Sequence, residues 1–102
     1  MNFQILQSAE EEIAQGMDYY NEQYMGLGYE FAVEIKEGMK RIKLFPEAWP
    51  LFIDKIRISH VNRFPYGILY EVRQERVIVF AVMHLKQNPE KWENKLKKYR
   101  TI

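Results

Sequence analysis

The apolar positions in the first part of the chain recur every three or four residues, as they do on one face of an amphipathic helix. The first such stripe predicts a helix over residues 9–24 and consists of Ile13, Met17, Tyr20 and Tyr24. Ser8 and Glu11 have the spacing of a capping box, which predicts that they begin this helix. We expect the stripe to belong to the core and not to a binding surface.

A second helix of the same period is predicted after the sequence Gly26-Leu27-Gly28, which indicates a turn. This helix must end at or before Phe45 because Pro46 follows, and its apolar stripe consists of Phe31, Ile35, Met39 and Ile42. The two helices therefore form a helical hairpin. The segment Pro46–Pro50 cannot continue a helix and is too short to link two domains, so it is a connector.

Beyond the connector the period changes to two, which is typical of β-strands with one buried face. Ile56 and Ile58 mark one strand, and the alternation over residues 66–73 marks a second. Residues 77–85 are apolar at nearly every position, as in a strand covered on both faces, so we expect this strand to be central in the sheet. The sequence Arg73-Gln74-Glu75-Arg76 lacks the glycine or asparagine of a two-residue turn and predicts a longer or irregular loop.

Both ends of the chain carry a weaker signal. Asn88, Pro89 and Glu90 form a helix start, with an asparagine cap, a proline in the first helical position and an acid in the first turn. The apolar face of this short basic helix consists of Trp92, Leu96 and Tyr99. Residues 2–7 could add a further short strand, but six residues do not decide it.

The composition is that of one globular domain. The chain has 102 residues, of which 47% are hydrophobic and 28% charged, enough for one core and too few residues for two. It contains no cysteine, which excludes a disulfide framework and suits a reducing cytoplasm. The first residues are acidic where an export signal would be basic, and the longest apolar run, Val77–Met83, is far shorter than the ~20 residues of a membrane span.

The charges are distributed unevenly along the chain. Up to Asp54 there are four basic and ten acidic residues, whereas from Lys55 onward there are eleven basic and four acidic. A basic half can indicate an anionic partner. Equally, the two halves can pack against each other in the folded protein and cancel much of the field.

Several chemistries are excluded by the motifs. The two histidines are 24 positions apart with no cysteine near them, so no metal site is expected, and no cofactor is expected either. The sequence Gly26–Phe31 has two glycines without the third of a nucleotide-binding loop. No serine or cysteine nucleophile motif is present.

One group of polar and aromatic residues remains for a binding or catalytic site. If the strands over residues 66–73 and 76–85 pair as a hairpin, Tyr66 lies near His84 or Leu85 and the group gathers at one end of the sheet. The group consists of Arg63, Tyr66, His84, Lys86 and Trp92. Such residues suit a phosphodiester or nucleic-acid surface. Taken singly, each also has a structural explanation, as a core-edge aromatic, a structural histidine or a solvated charge.

The segment Arg63–Trp92 resembles the signature half of the RelE/ParE superfamily, the toxins of bacterial type II toxin-antitoxin (plasmid stabilisation) modules. Its strongest elements are Phe64-Pro65-Tyr66, the Ala81-Val82 and His84 of the next strand, and the Pro89 and Trp92 of the last helix. The resemblance implies one domain over residues 1–102, of the α+β class, with an N-terminal helical hairpin packed on a small, mainly antiparallel β-sheet and a short C-terminal helix. It also implies a cytoplasmic protein, not a membrane-bound one, that an antitoxin wraps and neutralises in a toxin-antitoxin hetero-oligomer.

The superfamily divides into gyrase poisons and ribosome-dependent endoribonucleases. The RelE-like ribonucleases carry an arginine after the tyrosine of this strand and a basic residue after the last strand, where this chain has Gly67 and Gln87. The resemblance is closer to ParE-like members, so poisoning of DNA gyrase is the leading expectation. The alternatives are a metal-independent mRNA endoribonuclease, in which Arg63, His84 and Lys86 would be catalytic, and a decayed, non-toxic binding module. In a non-catalytic protein the five residues named above would contact the target or the antitoxin.

Overall fold

The structure is a computed structural model and describes residues 2–101. Its elements are β1 (Asn2–Ile5), α1 (Gln7–Gln23), α2 (Leu27–Leu44), β2 (Leu51–Ile53), β3 (Ile56–His60), β4 (Tyr66–Arg73), β5 (Arg76–His84) and α3 (Pro89–Arg100). The five strands form one sheet in the order β1-β5-β4-β3-β2, in which β1 is parallel to β5 and every other pair is antiparallel. The predicted α+β architecture is confirmed.

The sheet separates two apolar cores. The α1–α2 hairpin covers one face, where alternate residues of β4 such as Ile68 and Tyr70 are fully buried. On the other face α3 packs against Leu69 and Phe80. Because β5 lies between β1 and β4 and is covered on both faces, nearly all of its residues are apolar, and the prediction of a central strand is confirmed.

The first helix begins differently from the prediction, and the capping box is wrong. Leu6 is the N-cap, and no side chain caps the helix. Ser8 Oγ instead donates to the Phe80 carbonyl (3.1 Å), and Glu12 accepts a hydrogen bond from Val82 N–H (2.9 Å). The short strand β1 pairs with β5 only as far as Val79, so α1 supplies partners to the rest of that edge. Ser8 and Glu12 therefore form hydrogen bonds with β5 in place of a local helix cap.

The turn between β4 and β5 also differs from the prediction. Arg73 pairs with Arg76, which leaves a tight turn of two residues, Gln74 and Glu75. Both have positive φ, at 51° and 59°, as a type I′ turn requires. The longer loop predicted from the missing glycine is therefore wrong, because the pairing and packing of two long buried strands outweigh the preference of two turn residues.

The helical hairpin closes through its glycines. Gly26 has a φ of 89° in the turn, and Gly28 N–H donates to Asn21 Oδ1 at 2.8 Å. A Cβ atom at Gly28 would lie only 2.3 Å from the carbonyl oxygen of Met17, so the two helices approach more closely here than any side chain would permit. None of the helices between residues 2 and 101 is long and apolar enough to cross a membrane.

Candidate functional site

Tyr66 and His84 meet at the open end of the β4–β5 hairpin. The two residues are partners in the antiparallel register, as predicted, and their ring centroids are 5.2 Å apart in an edge-on arrangement. Tyr66 also packs edge-on against Phe31 of α2, at 4.8 Å between centroids. The aromatic core beneath the hairpin therefore fixes the position of the tyrosine ring at the surface.

The chain enters β4 through a compact loop that also holds the end of β5. Leu85 N–H donates to the Pro65 carbonyl (2.8 Å), and Val61 N–H donates to the Tyr66 carbonyl (2.9 Å). Phe64 turns into the core, where its ring lies 4.8 Å from that of Tyr20. The proline has no N–H and occupies a position where only its carbonyl is used, so it stiffens the loop without removing a needed hydrogen bond.

His84 is held in one tautomer. Its Nδ1 accepts a hydrogen bond from the backbone N–H of Lys86 at 3.1 Å. A neutral imidazole that accepts at Nδ1 carries its proton on Nε2. In this tautomer Nε2 of His84 is a hydrogen-bond donor, and Nδ1 is engaged by the backbone.

Arg63 is bound by the helical hairpin. Its guanidinium lies 2.6 Å from Glu30 Oε1 and 3.6 Å from Glu34 Oε2. The hydrogen bond to Glu30 raises the pKa of Arg63 above its usual value. Arg63 has a φ of 70°, so the loop adopts a strained conformation in placing this ion pair. The carboxylates of Glu30 and Glu34 therefore bind the guanidinium of Arg63, which was expected to face a target.

Lys86 and Trp92 occupy different places. Lys86 lies two residues beyond the end of β5, is exposed and forms no ion pair with any residue between 2 and 101. Trp92 lies on the opposite face of the sheet, where its ring is 5.3 Å from that of Phe52. The sheet therefore brings Tyr66, His84 and Lys86 together, which we call the rim site, and separates Trp92 from them.

The rim site is a set of hydrogen-bond donors. Burial raises the pKa of Tyr66, so its phenol stays protonated at neutral pH, and its hydroxyl makes no hydrogen bond to the described part of the chain. The Nε2–H of His84 and the ammonium group of Lys86 add two further donors. Such a set can bind carbonyl, carboxylate or phosphate oxygens, but it contains no free base.

Gly67 has a packing reason to be glycine. A Cβ atom there would lie 2.8 Å from the Cδ1 of Ile58 and 3.2 Å from the Cδ2 of Leu85. The residue also points to the α3 side of the sheet, away from Tyr66, because successive residues of a strand alternate between faces. A larger residue at this position would therefore require Ile58 to move.

Sequence reasoning missed the two carboxylates that bind Arg63, those of Glu30 and Glu34. They are four residues apart on α2 and therefore share a face of that helix, which is a visible signal. Their pairing with Arg63 depends on how the hairpin lies across the sheet, which no local pattern encodes. Between residues 2 and 101 no group of three or more histidine, aspartate or glutamate side chains is arranged to hold a metal ion.

The element order and sheet topology define a RelE/ParE-like fold, in agreement with the resemblance found in the sequence. Among solved structures, the chain is similar to one chain of the "Chromosomal ParDE TA system from P. aeruginosa", with a TM-score of 0.76. The match covers 84% of this chain and 97% of that chain, at 13% sequence identity, so it is a likeness of fold. No family model matches the sequence, and no curated protein matches it.

Proposed function

We propose that this protein is the toxin of a type II toxin-antitoxin system and that a cognate antitoxin neutralises it. The observation that carries the proposal is the fold shared with a chain of a ParDE TA system over 84% of the protein. The resemblance of residues 63–92 to RelE/ParE toxins also supports it. The toxin acts in the cytoplasm, where its target is found.

We propose DNA gyrase as that target, and the rim site as part of the surface that contacts it. A metal-independent ribonuclease must remove the proton of a 2′-hydroxyl group and stabilise a phosphorane with positioned cations. The accepting nitrogen of His84 is occupied by Lys86 N–H, and Arg63 is occupied by Glu30. Both features favour binding through donated hydrogen bonds over catalysis.

The target is tested with purified protein in two assays. The chain is added to a gyrase supercoiling reaction and, separately, to translating ribosomes whose message is mapped for cuts. We expect inhibition of supercoiling and an intact message. Codon-dependent cleavage of the message without gyrase inhibition would instead show a ribonuclease, for which His84, Lys86 and Arg63 are the candidate catalytic residues. Inactivity in both assays would indicate a non-toxic binding module.

The part played by the rim site is tested with Tyr66→Phe. This change removes one donor and leaves the ring that packs on Phe31. Loss of one interface hydrogen bond costs about 1.4 kcal/mol, which is a tenfold change in affinity. About tenfold more Y66F protein should therefore be needed for the same inhibition. Tyr24→Phe is the matched control, because it makes the same chemical change at a tyrosine that is 71% exposed and is not a member of the rim site. Equal inhibition by both variants would exclude the Tyr66 hydroxyl from the contact.

A further inference from the structure

Five large apolar side chains are exposed around the connector that joins α2 to β2. Their exposed fractions range from 43% to 71%, and they are those of Leu44, Phe45, Leu51, Phe52 and Ile53, which we call the connector patch. At ~200 Å² for a fully exposed side chain of this size, the connector patch presents ~500 Å² to solvent. An exposed apolar patch of that size on a soluble protein commonly marks an interaction site.

The connector holds both parts of the patch at the same edge of the sheet. The Tyr70 hydroxyl donates to the Pro46 carbonyl at 2.6 Å, and the Arg57 guanidinium donates to the Trp49 carbonyl at 2.6 Å. Tyr70 and Arg57 are partners in the antiparallel register of β3 and β4, whose backbones lie ~5 Å apart. The two ends of the connector are therefore fixed close together, which brings the end of α2 beside β2.

The outer edge of β2 is open. β2 is the last strand of the sheet on this side, and its only partner strand within residues 2–101 is β3. All three of its residues are apolar, so it lacks the charged side chains by which edge strands usually resist pairing with another chain. Pro50, which has no backbone N–H, precedes the strand and limits any added pairing to a few residues. The edge can therefore accept one further short strand.

An open cavity lies beside β2 on the α3 face of the sheet. It has a volume of about 470 Å³, and its lining is mainly apolar and includes Phe52, Ile58, Leu85 and Trp92. Cavities of this size and composition bind apolar groups. The edge of the molecule therefore combines exposed apolar side chains with a recess that is large enough to receive one of them from a partner.

We propose that the connector patch binds a second copy of this chain, in a twofold dimer whose two β2 strands pair antiparallel. Two identical strands that pair antiparallel are related by a twofold axis, so the patch meets itself and the contact closes at two copies. Each copy contributes ~500 Å², so the dimer buries ~1,000 Å², which is the lower size limit of a specific interface. The inference does not depend on the toxin assignment, because it uses only the exposed surface and the sheet edge.

The charges beside β2 complement each other in this dimer. Lys55 follows the strand and Glu47 precedes it, both are exposed, and neither forms an ion pair within residues 2–101. Because antiparallel strands run in opposite directions, Lys55 of one copy lies toward Glu47 of the second copy, and the twofold axis repeats this contact. Opposite charges therefore approach each other at both ends of the added strand pair.

Sedimentation velocity of the full chain tests the dimer. We expect the wild type to change from monomer to dimer between about 1 and about 300 μM, because interfaces near ~1,000 Å² are weak. The interface variant is Phe45→Glu with Leu51→Glu, which places like charges against each other, and it should dimerise about 100-fold more weakly. The matched control is Met25→Glu with Tyr29→Glu, which makes the same change in net charge at exposed residues beside the turn of the helical hairpin. It should dimerise as the wild type does.

A cysteine scan tests the geometry even where the charged variant folds poorly. The chain contains no cysteine, so a disulfide can form only between the introduced residues of two copies. Residues near a twofold axis lie close to their own counterparts, as a disulfide requires. We therefore expect a covalent dimer under mild oxidation from at least one of the single variants Leu51→Cys, Phe52→Cys and Ile53→Cys. Tyr29→Cys is the control and should remain monomeric.

Three results would overturn the inference. They are a wild type that is monomeric at every concentration, a dimer that persists in an interface variant with native far-UV circular dichroism, and the absence of any cross-link through β2. A monomeric wild type whose binding to the product of the adjacent reading frame is lost in the interface variant would assign the patch to that product instead. Growth and gyrase assays measure toxicity separately, so failure of the dimer leaves the proposed function untouched.

Discussion

At the scale of single residues, Tyr99 fastens the last helix to the sheet. Its hydroxyl donates to the buried carboxylate of Glu71 at 2.5 Å, and its ring stacks on Phe80 with centroids 4.4 Å apart. Burial, followed by the interaction with Glu71, raises the pKa of Tyr99, so the phenol remains a donor throughout the neutral range. The guanidinium of Arg73 lies 2.8 Å from the same carboxylate and is its second partner.

We expect Tyr99→Phe to lower the free energy of unfolding by about 1–3 kcal/mol. The phenylalanine keeps the stacking but leaves a buried carboxylate with one partner fewer, and such groups are costly. Urea denaturation followed by circular dichroism measures the change. Tyr24→Phe, at an exposed position, serves as the control and should be neutral. Equal midpoints for the two variants would show that the Glu71 contact contributes nothing.

Tyr70 gives the protein a pH dependence in the alkaline range. It is fully buried and donates to the Pro46 carbonyl at 2.6 Å, and burial raises its pKa to about 12, whereas a tyrosine in an unfolded chain ionises near pH 10. Between these values the unfolded state loses a proton that the folded state keeps, so stability falls as the pH rises. The urea midpoint of the wild type should therefore decrease more steeply between pH 9 and 11.5 than that of Tyr70→Phe. Parallel curves would show that Tyr70 does not titrate as described.

The hairpin predicted from the sequence brings Tyr66 close to His84 or Leu85, but alternation alone does not fix the exact pair. Tyr66 faces His84 because the register shifts by one residue between Leu69 and Tyr70, and no local pattern shows this shift. The pairing of Arg63 with Glu30 could not be predicted either, since the residues are 33 positions apart on elements whose relative placement no local pattern specifies. The same limit explains Ser8. Its spacing from Glu11 fits a local cap, yet its hydroxyl bonds to Phe80, 72 positions away.

At the scale of elements, the turn between β4 and β5 combines tight geometry with unsuitable residues. Gln74 and Glu75 both have positive φ, which costs an L-residue roughly 1–2 kcal/mol, and glycine or asparagine adopts it more easily. We expect the double variant Gln74→Asn, Glu75→Gly to raise the free energy of unfolding by about 1 kcal/mol. This is a net value, because the added flexibility of glycine in the unfolded chain cancels part of the gain from the relieved strain. The double alanine variant keeps both Cβ atoms and should match the wild type. A destabilised Asn-Gly variant in urea denaturation would contradict the turn geometry.

Periodicity predicted the long elements well. Both helices of the hairpin, β4 and β5 lie where the apolar pattern places them, because each has enough residues for a period to show. The start of α3 was predicted from its asparagine cap and proline, and Asn88 is its N-cap. β2 was missed, since three residues cannot reveal an alternation. β1 was left undecided for the same reason, and its parallel pairing with β5 depends on the whole chain. A short edge strand forms because it pairs with a neighbouring strand, and its own sequence does not reveal that pairing.

At the scale of the whole molecule, the oppositely charged halves of the chain meet each other. Within residues 2–101 four ion pairs link them, namely Arg63 with Glu30 and with Glu34, Lys95 with Glu12, and Arg100 with Asp54. These ion pairs therefore neutralise part of the charge asymmetry within the fold. Among the cations left exposed, Lys86 belongs to the rim site.

The measurement that tests the proposed toxin most directly is growth after induced expression of the full chain without its neighbouring gene. We predict that growth stops on induction and resumes when the adjacent reading frame is expressed with it. Undiminished growth, with the folded protein shown to be present at the same level, would contradict the account.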